Sequence, residues 1–247
     1  MRRYLVTGGC GFIGSHRVSA LLAAGHDVRV IDDLSTGSRA RLPAGAALAE
    51  ADLAEADLAA ALDGVDGVFH LAAIASVARS TEAWVATHRT NLTATIQLFD
   101  ALRGGPNGPV PVVFASSAAV YGDRAGAIDE AAGLAPLSPY GADKAGCELH
   151  ALAGARVHGI ASVGLRFFNV YGPGQRADDA YAGVISLFAE RIRRGEPLTI
   201  HGDGRQSRDF VFVGDVVRVL RIAMDRLHAD PAPTATIANV GTGRATT

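Results

Sequence analysis

Tyr140 and Lys144 stand four residues apart in SPYGADK, and Lys144 is the single lysine in a chain whose 23 basic residues are otherwise all arginine. A spacing of four puts both side chains on one face of a helix. Ser138 followed by Pro139 reads as a helix start, a cap and then a first-turn proline, which places Tyr140 in the first turn. A free phenol has a pKa of about 10, so a tyrosine acting as a base near neutral pH needs about 4 kcal/mol of phenolate stabilisation. A neighbouring ammonium, a helix N-terminus and a cationic ring nearby are sources of that field. Codon drift is the plain explanation for the arginine excess, but one of five tyrosines would precede the lone lysine by four positions in about 2% of arrangements. The position therefore reads as one that needs a compact ammonium, where a planar guanidinium would not fit. Ser116 and Ser117 close the apolar run PVVFASS. A serine hydroxyl at such a strand end could share a substrate hydrogen bond with Tyr140 and ease proton transfer, although two serines at a strand end are ordinarily structural.

A second group of residues could hold a phosphate. TGGCGFIG, residues 7 to 14, sets Gly8, Gly11 and Gly14 at G-x-x-G-x-x-G spacing between an expected strand and an expected helix. Glycine permits the tight turn and close approach of backbone to a pyrophosphate, and the helix start supplies N–H donors. With 29 glycines in the chain the spacing alone is weak. Context strengthens it, because Asp32 closes the next expected strand 18 positions after Gly14. An acid there binds both ribose hydroxyls of NAD and repels a 2'-phosphate, which favours NAD over NADP.

The elements needed to position these groups follow from the hydrophobic pattern. Strands are expected at 4–7, 28–31, 47–52, 67–71, 111–117 and 160–167, and helices at 12–24, 80–102 and 140–157. Short β-branched runs alternating with alanine-rich helices predict an α/β fold, a doubly wound parallel sheet with right-handed crossovers and ligands at the carboxyl ends of its strands. Beyond Tyr171 the pattern loosens. A helix at 183–194, two short strands around a glycine turn in PLTIHGDGRQSRDFVFV and a helix at 214–227 are expected. The chain stops on a strand and a glycine turn, so this C-terminal part reads as small and truncated. Arg17 falls within the first expected helix, where it either disturbs the packing or snorkels outward.

Composition excludes other classes. The 247 residues suffice for a large core, 23 basic against 25 acidic side chains give no polyanion-binding surplus, and 49% hydrophobic content excludes disorder. Cys10 and Cys147 lie far apart and form no ligand pair, which fits a reducing compartment, and a cytoplasmic protein is expected. No apolar run is long enough to span a membrane. There is no G-x-S-x-G elbow and no paired histidine motif, so neither a serine hydrolase nor a metal enzyme is supported.

Taken in order, TGGCGFIG, VIDDLSTG (30–37), ADL (51–53), HLAA (70–73), SSAAVYG (116–122), PYGADK (139–144), RFFNVYGPGQ (166–175) and RDFVFVGDV (208–216) closely resemble the extended short-chain dehydrogenase/reductases. Within them the likeness is nearest to NAD-dependent nucleotide-sugar epimerases of the UDP-glucose 4-epimerase type. The resemblance implies a Rossmann-type NAD domain over 1–171 and a partial substrate-binding region over 172–247, with 214–240 packing back on the first domain. It implies that Gly8, Gly11, Phe12, Ile13 and Gly14 hold the pyrophosphate, and that Asp32, Asp33, Ser35, Thr36, Gly37, Asp52 and Leu53 meet the adenosine end of NAD. Leu71, Ala72 and Ala73 would line the middle of the cofactor, with Ser116, Tyr140, Lys144 and Phe168 on the nicotinamide side. Ser117, Tyr140 and Lys144 would be catalytic. Ser117, Tyr140, Asn169, Thr199, Ile200, His201 and Arg208 would contact a UDP-sugar. Related dehydratases carry Asp and Glu where this chain has Ala118 and Ala119, so the implied reaction is 4-epimerisation through a 4-keto intermediate, without elimination. A 4-ketoreductase or a non-catalytic NAD-binding relative are the alternatives. A homodimer through the helices at 84–102 and 141–157 is implied as well, with Ala142, Ala145 and Ala151 permitting close approach.

Overall fold

A computed structural model describes residues 1–104, 108–124, 126–176, 183–200 and 202–247. Strand β1 (Arg3–Thr7) passes through the glycine turn into α1 (Phe12–Ala23), followed by β2 (Asp27–Asp32), β3 (Ala47–Glu50), the short α2 (Leu58–Leu62) and β4 (Gly67–His70). Helices α3 (Val77–Glu82), α4 (Trp84–His88) and α5 (Ala94–Leu102) lead to β5 (Val112–Ser117), α6 (Pro139–His158) and β6 (Ser162–Phe167). Then come β7 (Asn169–Tyr171), α7 (Val184–Arg194), β8 (Phe210–Phe212), α8 (Val213–Ala229) and β9 (Ala235–Val240).

Seven strands form one parallel sheet in the order β3-β2-β1-β4-β5-β6-β9. Successive side chains of a strand point to opposite faces, and the two cores divide accordingly. Tyr4, Val6 and Val113 pack with Val18 and Leu21 of α1 and Val216, Leu220 and Met224 of α8. Leu5, Val112 and Phe114 pack on the other face with Leu98 and Leu102 of α5 and Cys147 and Ala151 of α6. The strand order reverses between β1 and β4, so a crevice opens beyond Thr7 and His70, the usual ligand position in such sheets. Among the described residues no helix is long and apolar enough to cross a membrane.

Three expectations are corrected. The helix expected over 80–102 is broken, because Ala83 leaves the helical region at φ −127° and ψ 58°, and residues 89–93 form a π turn. That turn points the buried Asn91 inward, where its side chain pairs with the backbone of Ile74 on both sides, accepting from N–H at 2.8 Å and donating to C=O at 3.2 Å. Of the two strands expected within 197–213, only β8 forms, and it pairs in parallel with β7. Thr199 and Ile200, implied to lie on a strand, are in irregular chain, since β-branched residues make no strand without a neighbouring ladder. Ile200 is 64% exposed, and the Thr199 hydroxyl accepts from Arg191 at 3.1 Å. Arg17 neither disrupts α1 nor snorkels. It is buried with its guanidinium 4.1 Å from the Phe69 ring centroid and its Nε unpartnered, and burial lowers its pKa to about 10.

Candidate active site

The glycine loop between β1 and α1 is shaped by what it lacks. Gly8 sits at φ +70°, and a Cβ there would lie 2.7 Å from the Ala72 nitrogen, while a Cβ on Gly14 would run into the Gly8 carbonyl. Gly11 starts α1 without a side-chain cap, so the first-turn amides are not taken by a capping group. Together with Phe12 and Ile13 these glycines line a cleft of about 390 Å³. Asp32, Asp33, Ser35, Thr36, Asp52, Leu53, Leu71, Ala72 and Ala73 line it as well. Gly37 does not line it. A Cβ at Gly37 would lie 2.9 Å from Asp32 Oδ1, so its role is to let the loop close on that carboxylate.

Asp32 is more committed than its position in the sequence suggests. Its two oxygens accept from the backbone N–H of Cys10 at 2.8 Å and of Leu34 at 2.9 Å, so it joins the glycine loop to the loop after β2. Each oxygen keeps a further lone pair. Beneath the loop, Thr95 gives its hydroxyl proton to the Asn91 carbonyl at 2.6 Å and therefore accepts from His70 Nε2 at 2.9 Å. His70 Nδ1 is then left to accept from the Thr7 hydroxyl at 2.7 Å, and Thr7 Oγ1 accepts the Ala72 N–H at 3.2 Å. The chain requires a neutral imidazole, and burial, aided by the charge of Lys144, pushes the His70 pKa down to about 3.

Ser116, Ser117, Tyr140 and Lys144 are not among the residues lining this cleft. They belong to β5 and α6, and α6 begins as its sequence requires, with Ser138 accepting the Gly141 N–H at 3.1 Å and Pro139 in the first turn. Such a cap contributes about 1 kcal/mol. The buried Ser80 of α3 accepts the Tyr140 N–H at 3.1 Å, which fixes where the tyrosine enters the helix. Lys144 is 4% exposed. Its ammonium donates to the Ala115 carbonyl of β5 at 2.9 Å and stands 5.9 Å from the centroid of the Tyr140 ring. The spacing of four thus joins the pair as expected. Ser117 caps a 3-10 turn, Ala118–Tyr121, by accepting the Ala119 N–H at 3.2 Å. Ser116 points the other way and donates to Glu148 at 2.5 Å, so what it can offer a cofactor is backbone.

Phe168, Asn169 and Arg208 do not line the cleft either. Phe168 packs against Val120, Tyr121 and Ala145. Asn169 is exposed, with its N–H and its side-chain amide both donating to the Asp209 carbonyl, at 3.0 and 3.2 Å. Arg208 pairs by backbone with Thr246, and its guanidinium donates to the neighbouring Ser207 carbonyl at 2.8 Å. His201 lies outside the described residues. Sequence reasoning missed several groups. Arg41, Arg79 and Gln175 also line the cleft, and Asn91 holds the backbone of Ile74, which lines it too. Asp209 gathers the N–H groups of Thr242 and Gly243 at 2.7 to 2.9 Å, seating the end of the chain beside Arg208. The available signal was the aspartate in RDF and the polar asparagine inside an apolar helix.

Comparison with known proteins agrees with this geometry. Residues 4–241 match the NAD dependent epimerase/dehydratase family. The UDP-glucose 4-epimerase of Streptomyces lividans is 33% identical over 98% of this chain and 76% of its own length. The structure of a UDP-N-acetylglucosamine 4-epimerase from Methanobrevibacter ruminantium, in complex with UDP-N-acetylmuramic acid, superposes with a TM-score of 0.92 at 37% identity, over 99% of this chain and 78% of that one. A UDP-glucose 4-epimerase from Thermus thermophilus in complex with NAD gives a TM-score of 0.86 at 38% identity, over 99% and 79%. With a glycine turn before α1, an acid closing β2 and a Tyr-Lys helix on a parallel sheet of this order, and with residues 4–241 matched, the chain belongs to the NAD dependent epimerase/dehydratase family.

Proposed function

We propose that the protein interconverts the epimers of a UDP-hexose at carbon 4, through a transient 4-keto sugar. The carrying observation is the Lys144 ammonium, anchored on Ala115 and 5.9 Å from the ring of Tyr140. The cleft fits the cofactor of the family, because the space a Cβ would fill at Gly8 and Gly14 is the space a close backbone turn needs beside a pyrophosphate. Gly8, Gly11, Phe12, Ile13 and Gly14 would hold that group, and Asp32, Asp33, Ser35, Thr36, Asp52 and Leu53 the adenosine end. Bound NAD supplies a hydride acceptor and donor. Tyr140 takes the proton of the sugar hydroxyl as general base, Ser117 shares the hydrogen bond to that oxygen, and Lys144 favours the phenolate. Ala118 and Ala119 put no carboxyl beside Ser117, which supports epimerisation over elimination. On this reading 1–171 carries the cofactor, and 172–247, with Asn169 and Arg208 at its border, faces the nucleotide-sugar. Purified protein, given UDP-glucose, UDP-N-acetylglucosamine or UDP-glucuronate without added cofactor, should yield the 4-epimer of at least one by NMR. Net release of reduced cofactor, or no epimer from any sugar, overturns the reading.

The same reading includes a homodimer through the outer faces of α5 and α6. Ala145 and Ala151 do not contribute as the sequence suggested, since both are buried inward. The exposed apolar stripe is instead Ile96, Leu149, Leu152 and Val157, the last 70% exposed. Sedimentation at micromolar concentration should give a dimer, and Leu149→Glu with Leu152→Glu should give a monomer.

A further inference from the structure

Behind the Ser117 end of β5, buried polar side chains from several elements meet in one chain of hydrogen bonds. Glu148, one turn beyond Lys144 on α6, accepts from the Ser116 hydroxyl at 2.5 Å and from two N–H groups of Arg166 on β6, at 2.8 and 2.6 Å. A third N–H of Arg166 donates to the Tyr121 hydroxyl at 2.6 Å, and that hydroxyl donates to Asn239 Oδ1 on β9 at 2.6 Å. Glu130 accepts the Asn239 N–H at 2.7 Å. Tyr121, Glu148 and Arg166 are all at least 95% buried. Stability is a poor explanation for such a group, since a buried ion pair can often be replaced by packed apolar residues without loss. What a fully satisfied buried network does provide is rigidity and a unique arrangement.

The arrangement it fixes is the one that matters for proton transfer. The 3-10 turn starts at its cap Ser117 and ends at Tyr121. One face of α6 runs along this segment. A Cβ on Gly141 would lie 2.7 Å from the Ala119 carbonyl, Lys144 binds the Ala115 carbonyl, and Glu148 binds Ser116. Resting on the reading of Tyr140 as the base, we infer that Tyr121 and Arg166 are positioning residues. By tying the far end of the Ser117 turn to Glu148 on α6 and Asn239 on β9, they hold the Ser117 hydroxyl in register with Tyr140 and Lys144. Neither is assigned contact with substrate.

Tyr121→Phe, Arg166→Lys and the double variant test this, each measured for kcat, KM, NAD affinity and amide hydrogen exchange. Tyr121→Phe keeps the ring and should lower kcat about tenfold, with KM and NAD affinity within about twofold of wild type. Arg166→Lys keeps the charge but lacks the fork that reaches both Glu148 and Tyr121, so kcat should fall at least as far. The double variant should be no worse than Arg166→Lys alone, because both cut one chain. Exchange should accelerate in 117–122 and 139–144 while the rest of the sheet stays protected. Undiminished kcat in Tyr121→Phe, or losses that add in the double variant and accompany faster exchange across the whole sheet, would overturn the proposal. If the wild-type chain epimerises none of the sugars, the functional reading fails separately. Exchange then decides alone, with faster rates confined to the two segments supporting the positioning role and unchanged rates refuting it.

Discussion

The two walls of the proposed site are made of different material. On the side of β1, α1 and β4 the proposed groups are backbone amides and empty space left by glycine, whereas on the side of β5 and α6 they are side chains, Ser117, Tyr140 and Lys144. A backbone wall keeps its donors under any point substitution but proline, yet any added atom deforms it. A side-chain wall tolerates a change that preserves shape and fails when one functional atom is removed. The largest effect should therefore come from the second wall. Tyr140→Phe keeps the ring and removes the hydroxyl, and epimerisation should fall about a hundredfold or more while NAD affinity measured by calorimetry stays near wild type. Lys144→Arg preserves charge and should still lose most activity, because a planar fork cannot take the place of an ammonium seated 2.9 Å from the Ala115 carbonyl. Near wild-type turnover in either variant would erase the distinction between the walls.

The reverse pattern is expected at the first wall. Gly14→Ala adds one carbon where the Gly8 carbonyl already stands. The loop must move, at a cost of about 1–3 kcal/mol in stability, and NAD affinity should fall by roughly tenfold or more by calorimetry. If Gly14→Ala binds NAD normally and loses turnover, the cradle does not hold the pyrophosphate.

Acid should weaken the backbone wall by way of His70. Its folded pKa of about 3 lies below the ordinary imidazole value of 6.5, so between those pH values the unfolded chain binds a proton that the native chain refuses. Its contribution is complete above pH 6.5 and drains away as pH falls toward 3, at up to about 1.4 kcal/mol per unit. His26 and His228 are lowered by burial in the same direction. Denaturation midpoints measured from pH 7.5 to 4.5 should fall, and His70→Asn should flatten the slope without abolishing it. The smallest effect concerns the ribose end. Asp32→Ala should narrow the preference for NAD over NADP severalfold and cost some stability, since the Cys10 and Leu34 amides lose their acceptor. Equal affinity for both cofactors in the wild type would remove the charge argument.

The difference between the walls also explains what could be read in the sequence. Strands buried on both faces are continuous apolar runs, and glycine spacing or a Tyr-Lys interval of four survives any detail of packing. The sheet, the glycine turn before α1 and the α6 pair were therefore legible. Tertiary pairing was not. Thr199 and Ile200 have β-branched character but find no neighbour, while the weakly patterned Asn169–Tyr171 becomes β7 because β8 lies alongside. The π turn carries Asn91 to the backbone of Ile74, a contact 17 residues away that no periodicity records. Arg166 and Glu148 look like surface charges on an amphipathic pattern, and only the fold reveals that they neutralise each other inside it.

The buried lysine carries one more consequence, for chemical labelling. Among these 247 residues the one lysine ammonium is that of Lys144, which is 4% exposed. An acylating reagent applied to the native protein can reach it when the face of α6 parts from β5. The rate at which a Lys144 adduct appears by peptide mass therefore measures the opening of this wall, without an introduced tag.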